Sequence, residues 1–127
     1  MKVNYFHVCE LAFIADDNKT LSIIRIFQFI DSQGFPTVHP RFSIAFNVSG
    51  DPGEHSYELK ILTPDRVSSI AELKNSFEIQ RDDAPVNLIN HFIGLMFPSE
   101  GKYLIQLEID GKVIVNDDSQ LILRKIE

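Results

Sequence analysis

His7 and Cys9, the one thiol of the chain, stand two residues apart. In an extended segment such residues share a face, so the imidazole could take the thiol proton and leave a nucleophilic thiolate if that face is open. The competing expectation is packing, because a lone cysteine is among the most often buried residues. His39 lies between Pro36 and Pro40, where a stiff loop would hold a functional imidazole in place; His55 and His91 have no such setting. A single loop imidazole is more often a hydrogen-bonding surface group than a metal ligand, since metal sites need about three or four ligands. Asp16, Asp17, Asp51, Asp82, Asp83 and Asp110 all fall in turn segments. Up-and-down strands would gather them at one pole as oxygen ligands for Ca²⁺, although Asp is also a common turn residue in its own right and Greek-key crossings would scatter the set. The chain contains no Gly-x-Ser-x-Gly elbow, phosphate-cradling glycine loop, paired-cysteine motif or His-Glu-x-x-His. The reading therefore leans away from an enzyme, with no catalytic, metal or cofactor residues assigned.

The elements that would carry these residues are strands. Phe42, Ile44, Phe46 and Val48 alternate with Ser43, Ala45 and Asn47, the period of a strand with one buried face. Tyr57, Leu59 and Ile61 repeat the pattern, as do Tyr103, Ile105, Leu107 and Ile109. Turn residues separate the runs, and Asp110-Gly111 before Val113–Val115 has the form of a two-residue hairpin. Strands are expected near 3–14, 20–30, 41–49, 55–63, 70–79, 86–93, 102–109, 112–116 and 119–126. Short strands at this spacing predict one antiparallel β-sandwich domain over 1–127, immunoglobulin-like or of similar Greek-key topology, with about 7–9 strands. Two segments are ambiguous. Ile23, Ile26, Phe27 and Ile30 would also line a helix, and Ser69-Ile70-Ala71-Glu72 has the form of a helix capping box. Gly101, two residues before the strand-opening Tyr103, fits the tyrosine corner of immunoglobulin-like sandwiches, a stabilising device.

Twelve basic against eighteen acidic side chains give a net charge of −6, with no clustered Lys and Arg. That disfavours nucleic acid and, for the same reason, an anionic membrane surface. No apolar run approaches the roughly 20 residues that span a bilayer, and no signal-like segment opens the chain. With one cysteine, no intrachain disulfide is available, so cytoplasmic residence is expected and the glycosylation triplets at Asn18 and Asn47 read as chance.

Val8–Ala12, Leu21–Phe27, Phe35–Pro40 and Phe97 through Gly111 together resemble a family of small bacterial or phage proteins of uncharacterised function. The resemblance covers nearly the whole chain and implies a stand-alone β-sandwich without naming an activity. Its pattern more often has Gly where this chain has Arg25.

Leu21–Ile30 and Leu121–Leu123 carry apolar residues on both faces. The outer face of a two-layer sandwich normally meets water, so these faces call for a partner or a covering segment such as 31–40. The expected function is a non-enzymatic binding or assembly module, a homodimer with Ile24, Phe27 and Phe29 at its interface, or a module for another protein partner. A calcium- or small-ligand-binding domain using the acidic loops and a small enzyme with an unrecognised site are the alternatives.

Overall fold

A computed structural model describes residues 1–15, 20–115 and 119–127. Among them the chain forms ten strands and no helix: β1 (Lys2–Ile14), β2 (Leu21–Ile26), β3 (Phe29–Ser32), β4 (Thr37–Ser49), β5 (Gly53–Leu62), β6 (Ser69–Ile79), β7 (Val86–Phe97), β8 (Gly101–Ile109), β9 (Lys112–Val115) and β10 (Gln120–Lys125). Among the described residues no helix is long and apolar enough to cross a membrane.

The strands make two sheets. The first runs β2-β1-β4-β7, and the second runs β3-β10-β8-β5-β6 with β9 also paired to β8. The inner positions of β4, Phe42, Ile44, Phe46 and Val48, meet Tyr57, Leu59 and Ile61 of β5 and Tyr103, Ile105, Leu107 and Ile109 of β8 in a single core. These are the side chains that the period-2 pattern assigns to the buried faces, and burying each contributes on the order of 1.5–3 kcal/mol. Tyr57 also ties the sheets by a polar contact, its hydroxyl donating to Asn90 Oδ1 of β7 at 2.6 Å.

Four expectations change, the first being that the described residues form ten strands rather than about 7–9. The apolar stretch 20–30 is two strands, because the chain leaves one sheet for the other between Phe27 and Gln28. The Phe27 amide still donates to Val8 in the first sheet (3.0 Å), while the Gln28 carbonyl already accepts from Ile122 in the second (2.7 Å). The fold is not wholly antiparallel, since β3 pairs with β10 in parallel. The 36–40 segment is no loop around His39: from Thr37 onward it is strand β4, with Val38, His39 and Arg41 in register with Met96, Leu95 and Ile93 of β7.

Several local signals materialise. Asp110 and Gly111 take φ of 51° and 80° between the paired Ile109 and Lys112, a two-residue turn with both central residues left-handed, as the strand twist favours. Tyr103 is fully buried, and its hydroxyl donates to the Ser99 carbonyl at 2.7 Å while accepting from the Ser99 amide at 3.1 Å. Ser69 does bond Glu72 (2.8 Å), but on a strand, because the β5 ladder claims the backbone from Ser69 to Ile79. Arg25 adopts φ of 56°, a left-handed conformation that Gly accommodates without the Cβ penalty.

Candidate binding site

The change of sheet at Phe27-Gln28 creates a corner, and at that corner lies an open cleft of about 610 Å³, within the range of ligand sites. Glu10 and Leu11 of β1 and Arg25 of β2 form one wall. Phe27, Phe29 and Ile30 supply apolar surface, and His39, Pro40 and Arg41 of β4 close the other side next to Asp31. No short sequence window could show this, since four strands contribute.

The charges are organised. Arg25 Nη1 lies 3.3 Å from Glu10 Oε2. Arg124 binds Asp31 through two contacts, Nε to Oδ1 at 2.7 Å and Nη2 to Oδ2 at 3.1 Å, the paired geometry that suits a guanidinium and a carboxylate. Its guanidinium carbon sits 4.1 Å from the centre of the Phe29 ring, a cation–π contact. Both carboxylates of the cleft therefore already hold an arginine. Among the described residues, Arg41 has no carboxylate within ion-pair distance.

His39 packs its ring between Phe27 and Phe42, each 5.9 Å away between centres. Burial pushes its pKa below the ordinary histidine value, against smaller opposing effects of the Arg41 backbone and the Glu10 charge. A neutral imidazole at neutral pH is thus part of the cleft wall.

Of the three interface candidates of the sequence, Phe27 and Phe29 line the cleft, whereas Ile24 lies beside it on β2 and does not. Ile24 and Phe29 are 42% and 48% exposed, whereas Phe27 is half-buried and packs edge-on to Phe42. Ile26, at 57% exposed, belongs with them. Of segment 31–40, His39 packs on Phe27, while Ile24, Ile26 and Phe29 stay exposed.

The remaining chemical candidates are dispersed. Cys9 is fully buried, and its thiol donates to the Ser43 carbonyl at 3.6 Å. Burial raises its pKa, with a Leu11 backbone contact lowering it less. His7 stacks on Tyr5 instead, so the packing expectation holds for Cys9. Ser43 Oγ and His91 Nδ1 are 2.7 Å apart, a nucleophile–base pairing that sequence reading missed, but Ser43 has no exposed surface and no substrate could reach it.

Of the acidic turns, Asp16 and Asp17 lie outside the described residues, as does Asn18. Asp51 and Asp110 meet at His55: Asp110 Oδ2 is 2.6 Å from Nδ1 and the Asp51 carbonyl 2.8 Å from Nε2. Asp83 pairs with Arg81 at 3.3 Å. Among the described residues no three His, Cys, Asp or Glu side chains converge on a point that could hold a metal ion. Asn47 is nearly buried and donates to Asn87 while accepting from Asn4.

The family of unknown function DUF6941 matches residues 4–117. No curated protein and no solved structure matches the chain.

Proposed function

The chain belongs to the DUF6941 family, whose description assigns no activity, and from the geometry we propose a non-enzymatic binding module that self-associates through the β2–β3 corner. The observation that carries this is the run of exposed apolar side chains Ile24, Ile26 and Phe29 on the segment that changes sheets. Apolar side chains grouped in this way mark interaction surfaces more often than solvated ones do.

Charge supports a second copy as the partner. The whole chain carries −6, so two copies repel at a distance. The corner itself holds both signs, with Arg25 beside Glu10 and Arg124 beside Asp31. In a two-fold interface the same patch meets itself, and a patch of mixed sign can do so without like charges opposing. Association would use side chains rather than strand addition, because β2 is a short edge strand that carries the left-handed Arg25, a poor pairing template.

On this reading the two sheets are the layers of a sandwich, supported by the one core that both inner faces share. An immunoglobulin-like arrangement has the Tyr103 hydroxyl bridge in its favour. A cytoplasmic setting is consistent with the single cysteine, buried and free, and the resemblance noted for the sequence suggests a bacterial or phage source.

Light scattering over a concentration series tests the proposal. The expected mass rises from that of one 14.5 kDa chain to twice that value. A single-chain mass throughout would reject self-association.

A further inference from the structure

We infer that the corner cleft is a site for a small organic acid with an apolar body, its carboxylate held by Arg41. The inference goes beyond self-association and does not require it.

Electrostatics selects the charge of the ligand. Glu10 is satisfied by Arg25 and Asp31 by Arg124, while Arg41 on the same cleft has no such partner among the described residues. A cationic ligand would have to displace one of these arginines from its carboxylate. A single negative charge would instead complete the set, and a guanidinium is the side chain best shaped to take a carboxylate through two hydrogen bonds.

The walls select the body. Leu11, Phe27, Phe29 and Ile30 line the cleft, and the burial-depressed pKa of His39 keeps that wall uncharged at neutral pH. An inorganic anion would leave this apolar surface wet. A flat aromatic or aliphatic body would cover it, and the volume of about 610 Å³ has room for one.

The test uses 3-phenylpropionate and its neutral amide, titrated into the full chain and followed by backbone and side-chain NMR shifts, with light scattering of the same samples to read association separately. The acid is expected to bind in the millimolar range and about tenfold more tightly than the amide, moving the resonances of Phe27, Phe29, His39 and Arg41. Arg41→Gln, at an exposed position, should keep the fold and abolish the preference for the acid, while Arg81→Gln, outside the cleft, should preserve it. Equal binding of acid and amide by the native chain would overturn the inference. So would a preference that survives Arg41→Gln, shifts that map elsewhere, or no binding at saturating acid.

Discussion

The His39 ring stands 5.9 Å from the Phe27 ring, joining the start of β4 to the point where the chain passes between sheets. This contact makes the cleft wall part of the folded framework, because Phe27 in turn packs on Phe42 of the core. His39 is thereby half-buried, and the consequence is a measurable proton equilibrium.

His39 and His55 should titrate on opposite sides of the ordinary value of 6.5. Burial holds His39 below it, whereas the hydrogen bond to Asp110, with that to the Asp51 backbone, holds His55 above it. The His55 contribution to stability is complete below 6.5 and is lost as pH rises through its raised pKa. The His39 ring stays neutral in the fold where the unfolded ring takes a proton, so it destabilises as pH falls through 6.5. NMR titration of the two Cε1 protons checks the order, and denaturation of His39→Gln should show less loss of stability on acidification than the native chain. Coincident titrations would contradict both environments.

Asp110 carries the acid limb of the same contact. Its pKa is lowered by the His55 hydrogen bond first and the Ser56 amide second, so its contribution is present above the usual carboxylate range and fades as pH drops through the depressed value. Asp110→Asn should flatten the stability profile at low pH, as read by urea unfolding between about pH 2 and 5.

Tyr103→Phe should cost about 1–2 kcal/mol. The lost hydroxyl bonds both the amide and the carbonyl of Ser99, while the ring and its edge-on contact with Phe97 at 5.1 Å remain. A shifted urea midpoint with an unchanged slope is the expected result.

Arg25→Gly should be more stable than Arg25→Ala by about 1 kcal/mol. Both variants lose the exposed Glu10 ion pair, which makes the comparison independent of it, and only Ala retains a Cβ at φ of 56°. An Ala variant at least as stable as Gly would mean that the left-handed conformation at this position carries no strain.

Most strands and the core face were legible because alternation reports burial directly, as Phe42 through Val48 illustrate. The turn at Asp110-Gly111 was legible for a similar reason, since few residue pairs tolerate two positive φ angles. The break at Phe27-Gln28 was not. Apolar residues on both sides of a segment say that it is covered on both faces, without saying that different sheets provide the cover. Thr37–Pro40 was missed as strand because Pro36 and Pro40 punctuate it, and only the register with β7 shows that the ladder extends back to Thr37.

The cleft was legible only in fragments. Phe27 and Phe29 could be picked out from a segment apolar on both faces, whereas Arg41 and Glu10 gain their meaning from strand pairing. The Asp31–Arg124 contact spans 93 positions and exists because β3 and β10 lie in parallel register. No local pattern encodes such a pairing.

The most direct test of the binding corner compares two single charges placed on exposed isoleucines. Ile26 lies at the corner, and Ile93, 79% exposed, lies on β7 at the opposite edge of the same sheet. Light scattering at a concentration where the native chain is dimeric should give half that mass for Ile26→Glu and the dimer mass for Ile93→Glu, with circular dichroism unchanged in both. A dimer that survives Ile26→Glu and dissociates with Ile93→Glu would place the interface on the other edge and contradict the account.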